Sequence, residues 1–421
     1  MIRILSFADF KIPERGQGLT DTISAEVAAI ISEVRANGDQ ALFDFTRKFD
    51  RVQLERLRVE PGKIREAEEK LPLRMRNVLE LAIRNIQEFH SRTGLSSWEN
   101  TSPDGTRLGV KVTPIPRVGL YIPGGKAAYP STLLMNVIPA RIAGVSSIAV
   151  FSPPGPSGLP NSDVMAACSL LGIDEVYSIG GAHSVAAMAY GTESVARVNK
   201  ICGPGNAYVA EAKRQVFGQV GIDSVAGPSE ILILHDDLKI PAEFTARDLL
   251  SQAEHDENAM AILVTTSAEY ARQVAEIIEK ILPDSPRRKI IEASLKNNGV
   301  IYICENLDQG LEIVNSIAPE HLELFCTDKT VVDRVNNAGA IFIGKWSSEP
   351  IGDYIAGPNH TIPTSGAAMF HSPLSVRDFQ KTSSVIEYSE KLFNEHAESA
   401  AYFADSEGLP AHAAALRCRL D

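Results

Sequence analysis

Cysteine is sparse in this chain and badly spaced for cross-linking. Its five copies, Cys168, Cys202, Cys304, Cys326 and Cys418, are odd in number, scattered and never in CxxC spacing. That pattern argues against a disulfide framework and for buried thiols in a reducing compartment. No stretch approaches the roughly 18 continuous apolar residues that span a bilayer. Residues 1–11 lack a basic segment followed by a long apolar run, so no secretory signal is expected. Positive charge is also short: 41 Lys and Arg stand against 53 Asp and Glu, a net charge of −12. Nucleic acid and anionic membrane are therefore poor candidates for the main partner. Fixed short repeats and low-complexity segments are missing too. The expectation is a cytoplasmic protein.

What is present describes a globular chain. Hydrophobic residues make up 44% of the sequence, and the mean hydropathy is −0.04. A length of 421 residues exceeds one ordinary core, so two or more domains are expected. Ser24 as N-cap and apolar Val27, Ala28, Ile30, Ile31 and Val34 predict a helix that ends at Gly38. A second helical pattern runs over residues 72–90. From Val118 the character changes to short apolar runs, each ending in Gly or Pro and alternating with helical stretches. The corners are Pro123-Gly124-Gly125, Pro153-Pro154-Gly155, Gly180-Gly181 and Gly203-Pro204-Gly205. This alternation predicts a parallel doubly wound sheet with ligands beyond the strand C-terminal ends. A second alternating series begins at Glu230.

The fold class expected is α/β, with two Rossmann-like doubly wound domains, a small N-terminal extension and a small helical C-terminal domain. The boundaries read as 1–22 for the extension and 119–229 for an inserted Rossmann-like domain. Residues 23–118 and 230–372 are grouped as the second α/β domain, with 373–421 as the C-terminal helical segment.

Six of the nine histidines follow position 250, and most sit beside a carboxylate or a side-chain amide. Imidazole beside carboxylate is the raw material of metal ligation and of proton transfer near neutral pH. Gln252 and His255 stand three apart in a helical pattern, which puts both on one face. Glu320 and His321 follow Pro319, which suggests a turn from which both could enter one cleft. Asp353 and His360 lie in a Gly/Pro-rich loop, the kind of segment that carries sites. Glu407 and His412 stand five apart near the C-terminus. Each pair alone also reads as a solvated helix end, a cap or a surface residue. Nucleotide signals are weak by motif: Gly203-Pro204-Gly205-Asn206-Ala207-Tyr208 lacks the third glycine of GxGxxG, and Gly124-Gly125-Lys126-Ala127 fails the P-loop pattern.

Taken together, six ordered blocks resemble histidinol dehydrogenase. They are Tyr121-Ile122-Pro123-Gly124-Gly125, Gly203-Pro204-Gly205-Asn206, Ala226-Gly227-Pro228-Ser229-Glu230, Ser251 to His255, Ala318-Pro319-Glu320-His321-Leu322-Glu323 and Gly357-Pro358-Asn359-His360. The resemblance implies an NAD-linked enzyme with one Zn2+ per subunit that oxidises L-histidinol through the aldehyde to L-histidine. It implies Gln252, His255, Asp353 and His412 as metal ligands, and Glu320 and His321 as the acid/base pair. Tyr121, Asn206 and the residue at His183 would contact NAD. Ser229, His360 and Glu407 would hold substrate together with His321 and the metal ligands. His183 departs from the pattern, since the family commonly has Gln there. The resemblance further implies a homodimer whose C-terminal segment completes the partner's site. The alternatives are a related dehydrogenase of another small polar alcohol such as a sulfopropanediol, a zinc hydrolase, or a catalytically dead scaffold.

Overall fold

The structure, a computed structural model, describes residues 2–12, 20–124, 129–225 and 227–420. Gly125, Lys126 and Ala127 of the first glycine corner and Ala226 lie outside the described residues. In chain order the first elements are β1 (Arg3–Ser6), α1 (Asp21–Phe49), α2 (Pro61–Glu69), α3 (Leu73–His90), β2 (Trp98–Thr101) and β3 (Arg107–Pro114). An alternating run follows: β4 (Arg117–Tyr121), α4 (Pro130–Ile142), β5 (Ser147–Phe151), α5 (Ser162–Leu170), β6 (Val176–Tyr177), α6 (Gly181–Tyr190), β7 (Lys200–Cys202), α7 (Ala207–Val216) and β8 (Gly221–Ile222). The second run is β9 (Glu230–His235), α8 (Ala242–Ala253), β10 (Met260–Thr265), α9 (Ala268–Ile281), α10 (Arg288–Asn298), β11 (Gly299–Ile303), α11 (Leu307–Ile317), β12 (His321–Phe325) and β13 (Ala340–Ile343). The single turn α12 (Glu349–Ile351), β14 (Gln380–Glu387), α13 (Glu390–Ser406) and α14 (Pro410–Arg417) complete the chain.

Two parallel sheets result, one of five strands in the order β6-β5-β4-β7-β8 and one of six in the order β1-β11-β10-β9-β12-β13. The expected doubly wound α/β class is what forms. Both sheets are buried on two faces, which is why their strands read as near-continuous apolar runs. Ile231, Ile233, Leu263 and Ile301 point into a core with α8, α9 and α10. Leu232, Leu234, Leu322 and Leu324 point into a core with α11 on the other face.

Three segments lie elsewhere than their sequence suggested. Residues 3–6 of the expected extension form an edge strand of the six-stranded sheet, paired in parallel with β11. Four residues are too short a pattern to announce a strand. Helices α1 to α3, grouped above with residues 230–372, cover the five-stranded sheet instead. Val27, Ile30, Ile31 and Val34 share a core with Val185 and Val209. Leu79, Ala82 and Ile86 share one with Leu133 and Ile138. An amphipathic stripe declares that a helix packs, not which sheet it meets. Within the expected helical segment 373–421, β14 pairs antiparallel with β3 in a three-stranded sheet with β2. The first helix starts at Thr20, whose hydroxyl caps the Ile23 N–H, and resumes beyond Gly38. Gly38 sits at φ +52, where an added Cβ would strike the Glu193 carboxylate.

Candidate active site

The two sheets place their chemistry at opposite strand ends. In the five-stranded sheet, β4 and β5 end at Tyr121 and Phe151, beside a cavity of about 1060 Å³ lined by Asp50, Gly124, Pro153, Gly155 and Asn161. The chain can turn tightly here because Gly203 adopts φ +116, and a Cβ on it would lie 2.1 Å from the Tyr121 carbonyl oxygen. Tyr121 is buried, and its hydroxyl accepts the Gly181 N–H at 3.3 Å. Burial pushes that phenol up to about 12. Asn206 caps α7, its carboxamide oxygen accepting the N–H groups of Tyr208 and Val209. A ligand meeting Asn206 would therefore meet its NH2. His183 does not face this cavity's surface. It is 1% exposed on α6, its ring packs against Phe45 and Phe49, and Nε2 lies 3.5 Å from the Thr46 hydroxyl. Burial lowers this imidazole to about 3, so it stays neutral. The cofactor contact expected of His183 gains no support from this position.

In the six-stranded sheet the groups gather at the strand N-terminal edge. Glu230 and His321 are the first residues of neighbouring strands β9 and β12. Glu320 Oε2 accepts the Glu230 N–H at 2.9 Å, and Glu230 Oε2 accepts the Glu320 N–H at 3.4 Å. Ser229 directly precedes this pair, its carbonyl accepting the Met260 N–H. His321 Nδ1 lies 2.9 Å from the Glu230 carbonyl oxygen. A carbonyl can only accept, so Nδ1 carries the proton and Nε2 presents a lone pair. Buried Nε2 has no hydrogen-bond partner. It lies 3.9 Å from Asp353 Oδ1 and 4.0 Å from Glu349 Oε1.

The chain turns beyond β13 and returns along the sheet edge. Glu349 opens α12, and Asp353 follows in a wide π turn over Gly352–Ala356. His360 Nδ1 donates to the Asp353 carbonyl oxygen at 3.0 Å, leaving Nε2 to accept from the Thr132 hydroxyl of α4 at 3.2 Å. Thr132 stands in the first turn of α4, the helix that follows β4, so this bond joins the two sheet units. A cleft of about 350 Å³ opens at the same seam, lined by Tyr129, Ser131, Met135, His255 and Tyr354.

Gln252 and His255 arrive from the end of α8. His255, Glu349 and Asp353 bring ligand atoms within 4.8 Å of one another. Gln252 is fully buried, yet neither its Oε1 nor its Nε2 has a partner. A buried amide without partners costs about 1–3 kcal/mol, which a bound cation would offset at the oxygen. Imidazole, carboxylate and amide oxygen form a mixed N/O set that suits zinc. Glu349 escaped the sequence reading. Its signal was its place four residues before Asp353, but it looked like an ordinary Glu before a proline.

Electrostatics sharpen the cluster. Burial holds the Glu320 carboxyl well above its usual range, against the Glu230 N–H it accepts and with the help of the neighbouring Glu230, Asp353 and Glu349 carboxyls. Burial lowers His321 to about 4 against the opposing pull of Asp353. Glu349 is pushed up to about 9 by burial and then by Asp353. Neutral His321 and a carboxyl raised toward neutrality are what proton shuttling requires. Glu407 and His412 are not brought here within one chain. Glu407 caps α13 and His412 stands on α14, both exposed, and neither bonds to the cluster.

A glycine-cornered cavity at the edge of one parallel sheet and an imidazole–carboxylate cluster at the edge of the other define a two-sheet α/β protein of enzyme type. A family model described as histidinol dehydrogenase matches residues 14–420. The chain belongs to the histidinol dehydrogenase family and is an oxidoreductase. It is 50% identical over 394 residues to histidinol dehydrogenase of Bacillus subtilis (strain 168), covering 93% of this chain and 92% of that one. It is 48% identical over 403 residues to histidinol dehydrogenase of Dechloromonas aromatica (strain RCB), covering 95% and 93%. The crystal structure of histidinol dehydrogenase from Elizabethkingia anophelis superposes with a TM-score of 0.93 at 32% identity, covering 100% of this chain and 98% of that one. Among the described residues no helix is long and apolar enough to cross a membrane.

Proposed function

We propose that this chain oxidises L-histidinol through L-histidinal to L-histidine with two NAD molecules and one zinc ion per subunit. The observation that carries the reading is His321 Nε2, buried, unpartnered and fixed as an acceptor 3.9 Å from Asp353. Gln252, His255 and Asp353 would hold the metal, and Tyr121 and Asn206 would border NAD in the cavity beyond β4 and β5. When bound, NAD would supply the hydride acceptor and zinc an electrophilic anchor for substrate nitrogens.

The rest is the work of the chain's own residues. His321 Nε2 takes the hydroxyl proton as the carbinol carbon gives up hydride. Glu320 then takes a proton from the water that hydrates the aldehyde, and the hydrate loses a second hydride to give the acid. Ser229 and His360 flank the reacting centre and orient the substrate. The closed seam between the sheets retains the aldehyde between steps.

His412 and Glu407 would enter from a second copy of the chain in a homodimer. Two features support this. Ala397, Ala401 and Ala413 are what the α13–α14 hairpin buries, while Tyr402 and Phe403 are 75% and 66% exposed. Co-expressing His412→Asn with His255→Ala tests the idea, because mixed dimers would regain one intact site. Activity no higher than in either variant alone would overturn it. Five free cysteines, three of them buried, fit a reducing cytoplasm.

Absorbance of NADH with L-histidinol, with and without a chelator, tests the whole. Two NADH per histidine, abolished by the chelator, are expected. Turnover of other polar alcohols without turnover of histidinol would overturn the reading.

A further inference from the structure

Three segments carry the site just described: α8 with Gln252 and His255, β12 with His321, and residues 349–353. Their mutual placement sets the 3.9 and 4.0 Å approaches of His321 to Asp353 and Glu349. One residue touches all three. Glu323 lies two positions after His321 on β12 and therefore shares its face of the sheet. Leu322 and Leu324 point into the core with α11, whereas Phe325 joins the core with α8. His321, Glu323 and Phe325 accordingly look toward α8. A hydrophobe would be ordinary at this place, because Glu323 is 0% exposed. A carboxyl there is costly unless each of its oxygens is used.

Both oxygens have a use. Oε1 accepts the backbone N–H of Glu349 at 2.8 Å. Glu349 is the first residue of α12, and Ser348 before it supplies no side-chain cap. The orphan N–H of that turn is thus satisfied by a strand 26 residues away in sequence. Oε2 has no N–H or hydroxyl donor. Its neighbour is the carboxyl of Asp248, one helical turn before Gln252 on α8. Glu323 is fully buried and Asp248 half-buried, burial raises both carboxyls, and a proton shared between them would satisfy Oε2. Ser251, also on α8, adds a hydroxyl 3.4 Å from Glu349 Oε2.

We infer that Glu323, with Asp248 behind it, is a positioning residue that clamps α8 and the 349–353 segment onto the strand bearing His321. The clamp works through the bond that Oε1 accepts from the Glu349 N–H, with the Asp248 carboxyl on α8 facing Oε2 as the partner with which a proton would be shared. It requires an acceptor at Oε1 and a donor at Oε2, not a charge. The inference rests on the site reading proposed above.

The chemistry of the clamp chooses the variants. In Glu323→Gln the amide oxygen still accepts from Glu349 and the amide NH2 donates to Asp248, so both contacts survive. In Glu323→Leu neither does. Glu323→Leu should lower kcat by about 10²-fold, the scale of a misplacement near 1 Å. KM for NAD should stay near the wild-type value, because the cofactor cavity is on the other sheet. Glu323→Gln should restore kcat, a rescue that a mere loss of packing would not single out. The visible spectrum of the cobalt(II)-loaded protein should change in the Leu variant and return in the Gln variant. Asp248→Ala guards against a Leu variant that fails to fold: Asp248 is half-buried, and its loss removes the partner of Oε2. It should show a smaller fall in kcat of the same kind.

Wild-type kcat and cobalt spectrum in folded Glu323→Leu, or in Asp248→Ala if the former does not fold, would overturn the inference. So would a Gln variant as impaired as the Leu variant. Asp353→Ala separates the two readings. If it binds cobalt like the wild type, the site reading fails. If it loses cobalt while the clamp variants behave normally, the inference alone fails.

Discussion

The two parallel sheets solve the same problem from opposite ends. The five-stranded sheet uses its strand C-terminal edge, where Gly203 packs tightly on the Tyr121 carbonyl and the Pro153 corner lines the cavity. The six-stranded sheet uses its N-terminal edge, where side chains from β9, β12, α8 and the 349–360 segment converge. The first end is shaped by backbone and offers little titratable chemistry. The second is dense in carboxyls and imidazoles whose protonation is set by burial. On the function proposed above, recognition of a large cofactor and proton transfer on a small substrate would thereby be separated, and the two units are joined at the seam by the bond between Thr132 and His360.

The separation can be broken on one side at a time. The largest effect is expected from His321→Asn, which removes the lone pair at Nε2 while leaving the metal ligands. Steady-state assays should show kcat reduced by about 10²–10⁴-fold with zinc content unchanged. Survival of activity would remove His321 from its role. Gln252→Leu should split stability from binding. Deleting a buried amide without partners should raise the melting temperature of the metal-free protein by the equivalent of about 1–3 kcal/mol. Zinc affinity should fall by about tenfold or more in calorimetry. Lower apo stability would show that the amide has a partner in solution.

Effects on the other sheet should be smaller and should spare zinc. Gly203→Ala forces φ +116 on an alanine and drives Cβ onto the Tyr121 carbonyl. A destabilisation of about 1–3 kcal/mol by urea unfolding and a raised KM for NAD are expected. Asn206→Ala removes a helix cap worth about 1 kcal/mol and should weaken NAD binding in a fluorescence titration. Changed zinc content in either variant would undo the comparison.

The smallest effect concerns pH. His183 is lowered by burial from 6.5 to about 3. The unfolded chain binds the extra proton first, so the native state's advantage is complete above pH 6.5 and is lost as pH falls toward 3. His183→Gln should lose less stability than the wild type between neutral pH and pH 4–5, by urea unfolding, where the unfolded imidazole charges near ~6.5. Equal acid sensitivity would mean that this ring is not the buried neutral group seen here.

The sequence made much of this legible, for reasons visible residue by residue. The alternation of apolar runs and Gly or Pro corners announced two parallel sheets, because strands buried on both faces are made mostly of apolar residues. Glu320, His321, Asp353 and His360 stood out through the pairing of imidazole with carboxylate. Glu323 did not, since Leu322-Glu323-Leu324 reads as a strand with one wet face. Glu349 was hidden because its neighbours in space come from β12 and α8, not from its own loop. No periodicity could say that α1 belongs to the five-stranded sheet, as that depends on which apolar stripe it meets. His412 and Glu407 stay apart from the cluster in a single chain, and their expected roles await the mixed-dimer experiment.

The edge position of β1 has a consequence for synthesis. Arg3 pairs with Val300, so β1 finds its partner only after the strands of the five-stranded sheet have been made. Helix α1 and strands β4 to β7 can close their shared core early, from contacts local to one half of the chain, whereas the core under α2 to α4 also waits for Leu374, Val376 and Phe379. The six-stranded sheet cannot finish until the opening residues swing back to its border. Until then the free side of β11 is an open row of backbone donors and acceptors, the kind of edge on which nascent chains stick to one another.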